Sequence, residues 1–197
     1  MSRCILLGLV WLAFTPCPSQ ERPKYGLRTN GQTVTSLASP GTKAVTLFFV
    51  ASDCPISNRS FPEMKRLREE FSSRGVRFWF VYPNEGEAVA QVRMHQSAYD
   101  AGGEAVLDVS SALVRMAGAR VTPEVSVLIP EGDSGWRPVY TGRIDDRFLG
   151  IGKERPHATE HFAERTLTSV LRGSRVEAAT GVPVGCGIIN RSARAGR

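Results

Sequence analysis

The stretch that decides the fold is Thr46 to Phe71, TLFFVASDCPISNRSFPEMKRLREEF. Its opening residues form an apolar run typical of a buried strand, and this run breaks at Ser52-Asp53, just before Cys54. The remainder is amphipathic, with charged residues between apolar side chains at helical spacing: Phe61, Met64, Leu67 and Phe71. The pattern predicts a strand, a tight turn and a helix that begins next to Cys54.

Cys54 lies where the predicted strand meets the predicted helix, and this position favours the thiolate. The unpaired N–H groups of a helix start and the positive end of the helix dipole both stabilise a negative sulfur. Arg59, about one turn into the helix, is expected to add to this effect, and Asp53 is expected to oppose it. Because the thiolate is the nucleophilic form, Cys54 is predicted to be a reactive thiol. The alternative is a buried cysteine that serves as a small apolar side chain.

This stretch resembles the thioredoxin-like superfamily. In those proteins the redox motif C-x-x-C lies at the same junction, and a proline follows eight residues after the first cysteine. Cys54-Pro55-Ile56-Ser57 matches the first half of the motif, with Ser57 in place of the second cysteine, and Pro62 has the expected spacing. The resemblance implies an α/β thioredoxin-like fold with a central mixed β-sheet flanked by helices. It also implies that any partner thiol comes from elsewhere in the chain.

The order of the remaining elements agrees with that fold over residues 43–172, which we interpret as one redoxin domain. Apolar patterning predicts a strand over Val76–Tyr82, helices over residues 85–99, 112–117 and 159–171, and strands over 125–129 and 137–143. The parallel strands joined by helices imply right-handed crossovers.

Thr122-Pro123 precedes one of the predicted strands. A proline at a strand start is ordinary, and a trans bond is the usual form. In thioredoxin-like proteins, however, a cis proline at this point packs against the redox cysteine and helps to bind the substrate backbone. The resemblance therefore makes Thr122 and Pro123 candidate substrate-binding residues, with Pro123 also a candidate member of the catalytic site.

The N-terminal segment differs from the rest of the chain. Residues 1–19 have a basic start, an apolar run too short to span a bilayer, and a turn-forming end, which together predict a secretory signal peptide. Cys17 leaves a lipoprotein site as a minority alternative. We therefore expect an exported protein, periplasmic or secreted, with no stable membrane insertion after the signal is removed. Residues 20–42 are predicted to be an extended lead-in.

Removal of residues 1–19 leaves Cys54 and Cys186 as the cysteines of the chain. Cys186 lies in the C-terminal tail, residues 173–197, which its glycines predict to be flexible. Two cysteines in an exported protein tend to meet in a disulfide. Cys54 as nucleophile and Cys186 as resolving thiol make a thiol–disulfide oxidoreductase, and a purely structural disulfide is the alternative.

Two further stretches resemble exported redoxin-domain proteins: TGRIDD at residues 141–146 and VGCGI at residues 184–188. Such proteins are sometimes fused or adjacent to cytochrome-like domains. The resemblance implies protein thiols or disulfides, or a redox partner protein of cytochrome-like type, as partners. It implies no cofactor.

Two alternative functions occur on the same fold. A peroxiredoxin-like peroxidase, as in alkyl hydroperoxide reductases, uses P-x-x-x-T/S-x-x-C, but Leu47 and Ala51 occupy its pocket positions. A copper-binding assembly protein uses C-x-x-x-C with a distant histidine, but position 58 is Asn. A soft-ligand site could still combine Cys54 and Cys186 with a histidine: His95, His157 or His161. We predict no metal site.

The charge of the chain gives no support for nucleic-acid binding. The formal net charge is +6, but the basic residues are dispersed and no basic stripe interleaved with aromatic residues is present. The charge is instead consistent with solubility or with an acidic partner.

Overall fold

The computed structural model describes residues 25–132 and 135–189. The predictions for residues 1–19, the signal peptide and Cys17 among them, lie outside this part of the chain. Within it, no helix combines the length and the apolar character needed to cross a bilayer.

The strands are named in chain order. They are β1 (Leu27–Arg28), β2 (Ala44–Phe49), β3 (Val76–Tyr82), β4 (Glu104–Leu107), β5 (Val121–Thr122), β6 (Glu124–Glu131), β7 (Gly135–Gly142), β8 (Phe148–Gly150), β9 (Lys153–Glu154) and β10 (Cys186–Gly187). The α-helices are α1 (Pro55–Phe71), α2 (Val89–Ala98), α3 (Ala112–Ala117) and α4 (Phe162–Arg172).

The central sheet has the strand order β1-β4-β3-β2-β6-β7. Strands β2, β3 and β4 are parallel, whereas β6, β7 and β1 each pair antiparallel with a neighbour. Two small ladders lie outside the sheet, β8 with β9 and β5 with β10. The mixed sheet flanked by helices confirms the predicted α/β thioredoxin-like fold.

Strand β2 lies at the centre because both of its faces are covered. Every residue of β2 is buried. Phe48 faces a core layer shared with α1 and α4, whereas Leu47 and Phe49 face a second layer shared with α3 and the lead-in segment. A strand covered on both faces reads as a continuous apolar run, as this one does.

Helix α1 lies against the sheet through the apolar stripe seen in the sequence. Phe61, Met64, Leu67 and Phe71 are all buried. The Phe61 ring stacks on the Phe80 ring of β3, with 5.3 Å between their centroids. This packing fixes the orientation of α1, so that its first turn lies at the end of β2.

Helices α2 and α4 begin later than the sequence predicts. Residues 83–88 stay in a loop, in which the half-buried Glu87 carboxylate accepts the N–H of Ser52 at 2.7 Å. Before α4, the Asp146 carboxylate accepts the N–H of Thr159 at 2.7 Å and the N–H of Glu160 at 2.9 Å. Asp146 thus holds backbone of the predicted first turn of α4, whereas Glu87, itself in the predicted first turn of α2, is turned towards Ser52.

Candidate functional site

Cys54 is the N-cap residue of α1. Its backbone is extended (φ −88°, ψ 110°), and Pro55 follows in the first helical turn, where a missing N–H costs nothing. The Cys54 carbonyl accepts the first helical hydrogen bond, from the N–H of Asn58 at 3.0 Å. Cys54 is buried, with 1% of its surface exposed. The predicted position of Cys54 at a helix start is therefore confirmed.

Thr122-Pro123 lies directly beside Cys54. The peptide bond between Thr122 and Pro123 is cis, as the resemblance implied. The Cys54 thiol donates a hydrogen bond to the Thr122 carbonyl oxygen, with 3.0 Å between the two atoms. The structure thus brings together residues that are far apart in the sequence.

Cys186 pairs with the same backbone segment. Strand β10 pairs antiparallel with β5, so that Cys186 faces Thr122 and Gly187 faces Val121. The ladder is extended by the N–H of Ile188, which donates to the Arg120 carbonyl oxygen at 3.0 Å. The sequence predicts an extended tail without secondary structure around Cys186. The structure gives it a defined register, and the flexibility of the tail stays a prediction.

Gly185 allows β10 to approach this closely. A Cβ atom added at Gly185 would lie 2.3 Å from the Thr122 carbonyl oxygen and 2.7 Å from its carbonyl carbon. No side chain fits there, because both atoms belong to the backbone. From the sequence, the glycines around Cys186 predict only flexibility, because a close approach of this kind exists only in the folded chain.

The pKa values of the two thiols are displaced in opposite directions. Burial alone would raise the pKa of Cys54, but the neighbouring donor groups of Cys186, Ser57 and Thr122, which favour the thiolate, outweigh it and lower the pKa. Partial burial, together with the hydrogen bond to Cys54 and the charge of the Cys54 thiolate, raises the pKa of Cys186 to about 12. Cys54 is therefore the thiol that ionises first.

Ser57 stands where a C-x-x-C motif has its second cysteine, and it is fully buried. Within the described residues, neither its hydroxyl nor that of Thr122 has a hydrogen-bond partner. Both hydroxyls are therefore free to donate to a thiolate at Cys54, which is the form they favour.

Arg59 does not play the role expected from its position. Its guanidinium pairs with the Glu154 carboxylate of β9, which compensates its charge. Asp53 contributes to the raised pKa of Cys186 through its negative charge. The preference for the Cys54 thiolate thus comes from neighbouring hydrogen-bond donors rather than from a cation.

An apolar pocket of about 410 Å³ opens beside Cys186. Its wall is formed by α1, by the β8–β9 hairpin and by the segment around Cys186, and includes Pro55, Ile56, Phe148 and Ile151. The sequence indicates only a loop where the hairpin lies, so it gives no sign that Phe148 and Ile151 form part of a wall.

No group of three potential metal ligands in the described part of the chain includes either cysteine. The one cluster of this kind consists of Glu63, His161 and Glu164. The Arg66 guanidinium already bridges Glu63 and Glu164. Both ring nitrogens of His95 are hydrogen-bonded, to Tyr82 and to Asn58. The structure does not assemble the soft-ligand site considered from the sequence.

Comparison with known proteins gives one family and a set of similar folds. Residues 14–133 match the redoxin family. No curated protein matches the chain. A hypothetical protein from Sinorhizobium meliloti is similar in structure, with 23% identity and a TM-score of 0.68 over 84% of this chain and 94% of that chain.

Two further solved structures share the fold. An uncharacterized conserved protein from Geobacillus kaustophilus has 19% identity and a TM-score of 0.66, over 85% of this chain and 88% of that chain. A thioredoxin-like protein from Aeropyrum pernix has 18% identity and a TM-score of 0.51, over 76% of this chain and 89% of that chain. At these identities the likeness establishes the fold alone.

Proposed function

Because the chain belongs to the redoxin family, we propose that it is a thiol–disulfide oxidoreductase in which Cys54 is the attacking thiol and Cys186 the resolving thiol. The observation that carries the proposal is the register of β10, which places Cys186 opposite Thr122, whose carbonyl oxygen accepts the Cys54 hydrogen bond. Both cysteines thus adjoin the same residue, Thr122.

The exchange has two steps. The Cys54 thiolate attacks one sulfur of a substrate disulfide, and the other substrate sulfur leaves as a thiolate that takes a proton from water. A mixed disulfide between Cys54 and the substrate remains. Cys186 then loses its proton and attacks the Cys54 sulfur, which releases the second substrate thiol and leaves a Cys54–Cys186 disulfide. Two electrons pass from the protein to the substrate, and the reverse sequence oxidises a dithiol.

The opposite pKa displacements suit this order of events. While Cys54 is a thiolate, Cys186 stays protonated and donates to it. Once Cys54 is bound in a mixed disulfide, its negative charge is gone, and with it one cause of the raised pKa of Cys186. Cys186 is therefore held back during the attack and released for the second step.

Thr122 and Pro123 are proposed to bind substrate backbone beside Cys54. The partners are protein thiols or disulfides, or a redox partner protein of cytochrome-like type. We further propose that the protein works after export, periplasmic or secreted, where disulfides persist. The signal-like pattern of residues 1–19 supports this location.

Replacement of each cysteine in turn tests the assignment. In a turnover assay with a disulfide substrate, Cys54→Ser should reduce the rate to the uncatalysed level, because no other described thiol has a lowered pKa. Cys186→Ser should stop after the first step and accumulate a mixed disulfide on Cys54, measurable as an added mass that a reductant removes.

The control for these variants is Ser72→Ala, an exposed change at the far end of α1, which should turn over like the parent. If Cys186→Ser turns over as fast as the parent, Cys186 is not the resolving thiol. If Cys54→Ser keeps its activity, the proposed function is wrong. A purely structural disulfide predicts a third result, in which both variants lose stability and neither traps substrate.

A further inference from the structure

The edge of β5 next to Cys54 is occupied by the chain's own C-terminal strand. Under this cover Cys54 is 1% exposed. Its sulfur contacts the carbonyl oxygen of Thr122, and Cys186 stands opposite Thr122 in the β5–β10 pair; Thr122 is fully buried, whereas Cys186 is exposed. A partner protein that reaches the Cys54 sulfur must therefore displace Cys186.

We propose that the β5 edge is the docking site for an extended, cysteine-bearing segment of a partner protein, and that β10 occupies this site as an intramolecular substitute. The proposal rests on the proposed function of Cys54. A strand added to an edge is held by backbone hydrogen bonds, as β10 is through Thr122 and Arg120. Specificity then depends on which side chains the edge can accommodate.

Gly185 indicates what a partner segment must contain. The position just before the cysteine lies against the backbone of Thr122, where an added Cβ would come within 2.3 Å of the carbonyl oxygen. Contacts below 3.0 Å are not found for real Cβ atoms, and backbone cannot turn aside as a flexible side chain can. A partner cysteine that docks in the register of Cys186 must therefore be preceded by glycine. The substrate class is an extended segment that carries Gly-Cys.

Competition for one edge also orders the reaction. β10 leaves, the partner segment docks, and the Cys54 thiolate attacks the sulfur of the docked cysteine; its disulfide partner leaves as a thiolate and takes a proton from water. β10 then returns to the edge and Cys186 attacks the Cys54 sulfur. The partner cysteine leaves as a thiol, and the two electrons come from Cys54 and Cys186. The return of β10 thus displaces the partner segment from the β5 edge and brings the Cys186 thiol to Cys54 in the same movement.

Two synthetic peptides test the glycine requirement. The first is Val-Gly-Cys-Gly-Ile, with its cysteine joined to a small thiol as a disulfide, and the second has Ala in place of the first Gly. Each is reacted with the Cys186→Ser protein, and formation of the mixed disulfide on Cys54 is followed by mass. The glycine peptide should react at least about tenfold faster, since the alanine peptide cannot keep the backbone bonds of the edge.

Gly185→Ala tests the competition, because it should expel β10 while leaving Cys186 in the chain. In the Cys186→Ser background, Gly185→Ala should speed the attack of Cys54 on the glycine peptide by about tenfold. This factor is expected if β10 leaves the β5 edge free in about a tenth of the molecules that keep Gly185 and in nearly all molecules of the variant. With Cys186 present, Gly185→Ala should slow the resolving step by a similar factor. These two effects have opposite signs, whereas a merely structural defect would slow both steps.

Gly150→Ala is the matched control, since an added Cβ there meets no atom within 4 Å. Both steps should stay within about twofold of the parent. Equal rates for the two peptides, or slowing of both steps by Gly185→Ala, would overturn the inference. The peptide pair needs no altered glycine in the protein, so that test holds even if Gly185→Ala fails to fold. If Cys54 reacts with no disulfide at all, including a small one, the proposed function fails instead.

Discussion

Cys54 and Cys186 lie beside each other but are held by backbone of opposite kinds. Cys54 begins a helix of 17 residues whose apolar face is buried in the core. Cys186 belongs to a strand of two residues on the surface. The first arrangement fixes a sulfur among hydrogen-bond donors, and the second allows a sulfur to leave and return at little cost. The attacking thiol is thus held on the rigid helix α1, whereas the resolving thiol is held on the strand β10, which can detach.

The test with the largest expected effect moves the resolving thiol from β10 to helix α1. Ser57 lies one helical turn after Cys54, where the thioredoxin-like motif has its second cysteine. In the Cys186→Ser protein, the added change Ser57→Cys should restore turnover to within about tenfold of the parent, from a level reduced about a hundredfold or more, because it supplies an intramolecular thiol. The rate of disulfide reduction measures it.

Ser57→Ala in the same Cys186→Ser background is the control and should give no recovery, since it supplies no thiol. Turnover that stays at the level of Cys186→Ser after Ser57→Cys, in a protein that folds, would contradict the contrast. It would mean that Cys186 contributes more than the thiol that a position on α1 can replace.

A smaller test separates the two pKa values by titration of the thiolate absorbance. One thiolate should appear below the ordinary pKa of about 8.5, and the other only near the alkaline end. In Cys54→Ser, the pKa of Cys186 should fall from about 12 towards the ordinary value, because the bond to Cys54 and the negative charge are both lost. In Cys186→Ala, the pKa of Cys54 should rise, because a donor to the thiolate is lost.

The rate of attack should follow the same titration. It should be constant above the lowered pKa of Cys54 and decrease as the pH falls through that value, since the thiol form does not attack. If removal of Cys186 leaves the Cys54 titration unchanged, the thiols are not coupled, and the opposite displacements have another origin.

The sequence predicted one half of this site well. The apolar run, the break at Ser52-Asp53 and the helical stripe are local patterns, so the strand, the turn and the position of Cys54 could all be found from them. The cis Thr122-Pro123 bond was predicted only through the resemblance, because no local property of Thr122 or Pro123 distinguishes it from an ordinary trans proline.

The other half could not be predicted. Strand β10 is too short to show a periodic pattern, and its pairing depends on β5, more than sixty residues earlier in the chain. The role of Gly185 depends on an approach to backbone that only the folded chain creates. Helix starts were placed too early for a similar reason, since Glu87 and Asp146 bind backbone N–H groups across loops. The local propensities of residues cannot predict such contacts, because the partners are far apart in the sequence.

The test with the smallest expected effect concerns the hydrogen bonds that hold the start of helix α1 in place. A chain of hydrogen bonds joins α2 to the start of α1. The Tyr82 hydroxyl donates to His95 Nδ1 at 2.7 Å, and His95 Nε2–H donates to Asn58 Oδ1 at 2.8 Å. The Asn58 amide then donates to the Ser52 carbonyl oxygen at 3.3 Å. Burial lowers the pKa of His95, which keeps its ring neutral and matches a single N–H on Nε2.

Asn58→Ala should break this chain without touching the sulfur. It leaves the His95 N–H unpaired inside the protein and should reduce the free energy of unfolding by about 1–3 kcal/mol, a fall of several degrees in Tm. The pKa of Cys54 should not move, because its hydrogen bonds come from Ser57, Thr122 and Cys186. Glu69→Ala, an exposed change on the same helix, should stay within about 0.5 kcal/mol of the parent. A shift in the Cys54 titration of Asn58→Ala would mean that the thiolate depends on the whole helix start, not only on its immediate donors.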